Sequence, residues 1–146
     1  MSIIILPTNI DNRRIAMIGY ITLGTKDLNR AGAYYDDLLA TIGAKRFMEE
    51  PDYFLAWARS ENECSLAITV PFDKRPASVG NGIMAAIALE SPSQVDAFYK
   101  KAIELGGTCE GKPGFRPEQA TSGFYAGYFR DLDGNKLNAF CMVKAH

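Results

Sequence analysis

Acid–base chemistry has few agents in this chain. Its single histidine, His146, is the last residue, and chain ends are ordered only when something docks them. The carboxylates fall mostly on segments that read as helices, turns and loops. Asp131 and Asp133 belong to an Asp-Leu-Asp-Gly-Asn turn and serve its local amides rather than forming a catalytic pair. Cys64, Cys109 and Cys141 are odd in number and widely spaced, with no Cys-x-x-Cys pair. They read as free thiols of a reducing cytosol, without the cationic neighbour that would activate a nucleophile. Gly106, Gly107 and Gly111 do not follow a strand in the arrangement that a phosphate-cradling loop needs. Binding chemistry is left to Tyr20, Thr22 and Asn138 as hydrogen-bonding groups, to Met84 and Phe140 as apolar surface, and to Trp57, Arg116 and Tyr125.

The elements that must position these residues begin with the stretch Phe124 to Met142. Asp133-Gly134 is a tight hairpin signal, and its aromatic and apolar flanks suit a pleated, half-buried surface. Asn138 lies between Leu137 and Ala139, so it faces away from both. Earlier in the chain, Ile18 to Gly24 alternates as a strand, with Tyr20 and Thr22 on one face. Asp27 stands at an N-cap position before a helix over Leu28 to about Ile42. Its stripe of Leu28, Ala31, Tyr35, Leu38 and Ile42 stops at Gly43. Three short strands follow over Lys45–Glu49, Tyr53–Arg59 and Ser65–Val70. The segment Pro71 to Gly82 reads as a linker.

Then the pattern restarts. Ile83 to Leu89 is a strand, with Met84 and Ala86 on one face. Ser91 caps a helix with Pro92 at its first position and Gln94 at the third. The helix carries Val95, Phe98, Ala102 and Leu105 and ends at Gly106-Gly107. A loop of about fifteen residues, long enough for a role at a pocket, leads to the final hairpin. The repeat has a fixed offset: Asp27 and Ser91, Tyr34 and Phe98, Gly43 and Gly107, and Tyr20 and Met84 all stand 64 residues apart. Ala67 and Asn138 align at 71, the difference falling in the long loop. Caps, stripes and stops agree on a duplication. The expected fold is α+β: two tandem βαβββ modules, each a mixed sheet covered on one face by its helix. Residues 1–16 form an N-terminal extension whose Ile3–Leu6 run is either an added edge strand or a tail. Residues 17–143 form one domain, with module one at about 17–71, a linker at about 72–81 and module two at about 82–143. Two sheets curving toward each other would cover the remaining faces, sending Tyr20, Thr22, Met84, Ala86, Asn138 and Phe140 into a shared space.

Size and charge narrow the function classes. The 146 residues suffice for one core. A net charge of −1 with no basic stripe gives no reason to expect nucleic acid or an anionic membrane. The N-terminal apolar run is too short for a signal-peptide core or a spanning helix, so a cytoplasmic location is expected.

The repeated modules, with GYITLGTKDLNRAGAYYDDLL opening the first and RDLDGNKLNAF closing the second, resemble the vicinal oxygen chelate superfamily over about residues 17–143. That group includes glyoxalase I, fosfomycin- and bleomycin-resistance proteins and extradiol dioxygenases. The resemblance implies a homodimer, and a divalent metal held between modules by His, Gln or Glu at the places occupied here by Tyr20, Ala67, Met84 and Asn138. None of these four is a carboxylate or an imidazole, which a hard divalent cation requires. No metal and no cofactor is therefore expected.

The pocket between modules then holds a small molecule, with Tyr20 and Asn138 as its hydrogen-bonding groups; alternatively, these two satisfy each other in a closed core. Trp57 reads as core packing or as a ligand stack. Arg116 is a solvated loop residue or an anion clamp. Tyr125 and Tyr128, three residues apart, face opposite sides of their strand. The leading expectation is a metal-free small-molecule-binding member of the family. The alternatives are a glyoxalase-like lyase or isomerase, with an unconventional metal site or metal-free chemistry involving Tyr20, and a structural or interaction protein.

Overall fold

The computed structural model describes residues 16–146, so the Ile3–Leu6 run and the rest of residues 1–15 lie outside the described residues. The first module comprises β1 (Tyr20–Gly24), α1 (Leu28–Ala40), β2 (Lys45–Glu50), β3 (Phe54–Ala58) and β4 (Ser65–Thr69). The second comprises β5 (Ala85–Ala88), α2 (Pro92–Glu104), β6 (Thr108–Phe115), β7 (Gly123–Arg130) and β8 (Lys136–Val143). Both are βαβββ units, and their sheets run β1-β4-β3-β2 and β5-β8-β7-β6. In each sheet the first and last strands pair in parallel and the other pairings are antiparallel.

Local chemistry explains the helices. The Asp27 carboxylate accepts from the Arg30 amide at 3.0 Å and opens α1. Ser91 Oγ accepts from the Gln94 amide at 3.3 Å, while Gln94 Oε1 returns to the Glu90 amide at 2.9 Å. This is a capping box displaced by one residue, with Pro92 supplying a preset first turn. The sheet registers reproduce the duplication independently. Thr22 pairs with Ala67 and Ala86 with Asn138, which are the 64- and 71-residue offsets meeting across equivalent strands.

One segment departs from expectation. The long loop after α2 is mostly strand: β6 occupies Thr108–Phe115 at the sheet edge, leaving a short connection to β7. Gly111, Pro113 and Gly114 broke the alternation that marks a strand. They are tolerated because β6 is an edge strand whose pairing with β7 shifts between Cys109 and Gly111 and again between Gly111 and Gly114.

A single buried cluster spans both modules, from Leu23, Tyr35 and Trp57 to Val95, Phe98 and Phe129. It forms because α1 and α2 pack on each other as well as on their own sheets. No strand of one sheet is hydrogen-bonded to, or closely packed on, a strand of the other. The helices meet at the junction of the modules, and the faces they leave uncovered hold Tyr20 on the first sheet and Met84 and Asn138 on the second, with Tyr20 and Met84 exposed. This corrects the expected convergence of Tyr20, Met84 and Asn138: the sequence shows which face of each strand is apolar, but not which of two apolar faces meets its partner.

The turn between β7 and β8 holds this arrangement. Asp131 is buried and accepts four hydrogen bonds, from the Asp133 and Asn135 amides, Asn135 Nδ2 and, at 2.7 Å, the Tyr35 hydroxyl of the first module. Asp133 accepts from Thr25 Oγ1 at 2.6 Å and the Lys26 amide at 2.9 Å, and Asn135 Nδ2 donates to Gly24 O. Tyr34 adds a bond to Ala102 O at 3.1 Å. It comes so close that a Cβ on Gly107 would lie 2.7 Å from its hydroxyl. Burial pushes the Asp131 carboxyl above the ordinary aspartate range, outweighing the hydrogen bonds that pull it down. Burial and Asp131 together raise Tyr35, so its hydroxyl is a permanent donor at neutral pH.

Removing the acceptor orphans several buried donors at once. Asp131→Ala should lower the unfolding free energy by about 3 kcal/mol and Tyr35→Phe by about 1 kcal/mol. In urea titrations the double mutant should lose clearly less than the sum; strict additivity would show that the pair does not clasp the modules.

Candidate functional site

Cross-strand partners share a sheet face, and side-chain contacts identify which face each helix covers. Trp57 Nε1 donates to Asp36 Oδ1 at 2.8 Å, and its ring packs against Tyr35; both partners lie on α1. Trp57 is thus core, on the covered side of the first sheet. The Tyr125 hydroxyl donates to Asp96 on α2 at 2.7 Å, and burial with this carboxylate pushes it up to about 12. Tyr125 therefore sits on the covered side of the second sheet, and Tyr128, its alternative, takes the open side.

The remaining candidates divide between two open faces. On the first sheet, Tyr20 is 63% exposed and meets the Phe54 ring edge-on at 6.4 Å between centroids. Thr22 is exposed beside it, and Ala67 is buried. On the second sheet, Asn138 stands opposite both Ala86 and Tyr128 in the register. Phe140 stacks on Phe124 at 5.4 Å, and Met84, just before β5, is 39% exposed. Arg116 follows β6 and lays its guanidinium over the Tyr128 ring at 5.6 Å. Lys136 Nζ lies over the same ring, also at 5.6 Å.

Asn138 distinguishes this face. It is 1% exposed, and its Oδ1 is a buried polar atom with no hydrogen-bond partner among the described residues. Turning the amide over would exchange the orphaned acceptor for an orphaned donor. A buried polar atom left unpaired costs about 1–3 kcal/mol, so a water or another group beyond the contacts of the described residues accounts for it.

Sequence reasoning missed two members of the group. Tyr128 was one of an unresolved pair, and the Tyr128–Asn138 register selects it. Lys136 is not among the candidates, although simple alternation along β8 places it on the face of Asn138 and Phe140.

The four positions at which the resemblance implies metal ligands split between the sheets, Tyr20 and Ala67 on the first, Met84 and Asn138 on the second. A phenol, a methyl, a thioether and a neutral amide are not a donor set for a hard divalent cation. Among the described residues, no three His, Cys, Asp or Glu side chains group to hold an ion.

The sequence model of the Glyoxalase/Bleomycin resistance protein/Dioxygenase superfamily matches residues 17–139. Among solved structures, a glyoxalase/bleomycin resistance protein from Albidiferax ferrireducens T118 is similar at 35% identity. That match covers 86% of this chain and 98% of the other, with a TM-score of 0.76. A glyoxalase/bleomycin resistance protein/dioxygenase family enzyme from Burkholderia phytofirmans PsJN shares the fold at 14% identity, covering 88% and 100% of the two chains with a TM-score of 0.66. The fosfomycin resistance protein FosX from Listeria monocytogenes does so at 16% identity, covering 90% and 95% with a TM-score of 0.63. No curated protein matches the chain.

If the Asn138 orphan is a binding group rather than a structural one, replacing it with an apolar side chain of similar shape stabilises the free protein. Asn138→Leu should raise the unfolding free energy by about 1 kcal/mol in urea titration while abolishing ligand binding. A destabilised variant would assign Asn138 to the fold instead.

Proposed function

This chain belongs to the glyoxalase/bleomycin resistance protein/dioxygenase superfamily, and from that membership we propose that it binds a small organic molecule on the open face of its second sheet, without a metal ion. The observation that carries the reading is the buried, unpaired Oδ1 of Asn138, set among an aromatic ring and two cations. A protein of purely structural role gains nothing from an unsatisfied atom at that position, whereas a ligand donor satisfies it. The donor chemistry of Tyr20, Ala67, Met84 and Asn138 supports the metal-free part.

The same reading includes a homodimer. One open face carries Tyr20, 63% exposed, and the other Met142, 65% exposed, with Met84 toward the opposite end of β8. Exposed apolar groups on two sheet faces favour cover by a second copy. A second chain that lays its first sheet over this chain's second sheet closes the concave space which one chain alone leaves open. The three free cysteines support a reducing, cytoplasmic setting. No helix among the described residues is long and apolar enough to cross a membrane.

Native mass spectrometry of protein purified without chelator tests both parts. The expected species is a dimer free of stoichiometric zinc, nickel, iron or manganese, and Met142→Glu should shift it toward monomer and weaken ligand uptake together. A stoichiometric metal would overturn the metal-free reading and favour a glyoxalase-like lyase or isomerase. A monomer at micromolar concentration would remove the second copy from the site.

A further inference from the structure

The charge on the open face of the second sheet is not balanced among the described residues. Arg130 and Glu110 neutralise each other at 2.7 Å, and this guanidinium holds the Glu110 carboxyl below its ordinary range. Lys136 also acts on Glu110, but only at longer range; among the described residues, no carboxylate lies within 4.0 Å of Lys136 or of Arg116, so two cations share what one carboxylate already gives to Arg130. They approach one ring, Tyr128, each at 5.6 Å. Two cations brought to one aromatic group repel each other, and the ring's quadrupole offsets only part of that.

Arg116 is also held in place. Its Nη2 donates to Lys112 O at 2.9 Å and its Nη1 to Phe115 O at 3.1 Å, which anchors the guanidinium along β6. The strand makes room for it with glycine. A Cβ on Gly111 would lie 3.4 Å from Arg116 Nη2 and 3.3 Å from the Tyr128 ring, and one on Gly114 would lie 3.2 Å from Nη1. An edge strand with two glycines and a proline sacrifices pairing and stiffness; here the missing side chains let the guanidinium lie flat across the strand. A loop arginine merely solvated would need neither the carbonyl anchors nor the cleared strand.

Resting on the same small-molecule site, we propose that the ligand is a small organic anion. Its charged group sits between Arg116 and Lys136, its apolar body lies against Phe140 and Phe124, and a hydrogen-bond donor reaches Asn138 Oδ1. A carboxylate or phosphonate supplies the missing counter-charge, and the planar guanidinium offers its remaining donors to either. The stacked Phe124 and Phe140 rings, 5.4 Å apart, form the apolar floor beside it. The unpaired Oδ1 selects molecules that carry a hydroxyl or amine beyond the anion.

NMR titration of the full-length protein, following the Arg116 side-chain N–H and the Asn138 amide, tests this with four probes. These are 4-hydroxybenzoate, 4-hydroxyphenylphosphonate, neutral 4-hydroxybenzamide and inorganic phosphate. The expected result is that at least one organic anion moves both sets of signals and binds at least about tenfold more tightly than the neutral amide, the size of one charge-assisted hydrogen bond. That affinity should fall as salt rises from about 50 to about 500 mM. Arg116→Gln and Lys136→Gln should each weaken it by about tenfold. Gly111→Val, which keeps every charge but crowds the guanidinium, should weaken it in the same way. Equal binding of the amide and the anions at Asn138 would overturn the anionic class while leaving the small-molecule site standing. Inorganic phosphate binding as well as the organic anions would overturn the apolar body. If none of the four moves the Asn138 signals, the small-molecule reading and the anionic class fall together.

Discussion

The buried Asp131 carboxylate and the Tyr35 hydroxyl it accepts fix the relation between two halves that are otherwise separate sheets. A duplicated βαβββ unit has two ways to bury itself: sheet against sheet, or helix against helix. The Asp-Leu-Asp-Gly-Asn turn of the second module reaches Thr25, Lys26, Gly24 and Tyr35 of the first, which draws α1 to α2 and commits the chain to the second way. Once the helices are inside, the open faces are outside. The buried Asn138 and the exposed Tyr20 and Met142 follow from that geometry.

Asn138 and Asp131 show how differently a buried polar group can be used. Asp131 is surrounded by donors and holds the fold together; its burial is expensive, and four hydrogen bonds offset the cost. Asn138 is about as inaccessible to solvent and has an acceptor with nothing to accept from. The first arrangement is what stability favours. The second calls for a partner beyond the described residues, and it lies on the face where Arg116 and Lys136 approach Tyr128. An unpaired acceptor and two neighbouring cations on one face set that face apart from the rest of the surface.

Much of the architecture was legible in the sequence, because caps, stripes and stops are local signals. Asp27, Ser91, Pro92 and the 64-residue offset were sufficient to place both helices and the repeat. What the sequence hid was non-local. The edge strand β6 was concealed by Gly111, Pro113 and Gly114, residues that break an alternation but are harmless at a bulged edge. Asp131 and Asp133 read as local turn formers, since nothing in the turn announces that its carboxylates reach Tyr35 and Thr25 about a hundred residues earlier. Trp57 and Tyr125 were separated from the open faces only by hydrogen bonds to Asp36 and Asp96 on the helices. Among the candidate site residues, Asn138, Phe140 and Arg116 are brought together, and Tyr20 and Thr22 stand on the other sheet.

The two open faces also differ in a way the duplication makes measurable. Register aligns Asn138 with Ala67, and with them the neighbours Tyr128 with Ala56, Lys136 with Ser65 and Phe140 with Thr69. At every one of these places the second sheet carries a larger, aromatic, charged or amide side chain, and the first carries a smaller one. Two copies of one ancestral surface have thus become chemically opposite: one presents charge, ring faces and an unpaired amide, while the other presents methyls and hydroxyls with Tyr20 and Phe54 at its margin. A smooth face makes few demands on a ligand and suits a cover; a charged face with fixed donors suits recognition. Duplication permits that divergence, because each sheet is covered by its own helix and the side chains of its open face are free to change without disturbing the core.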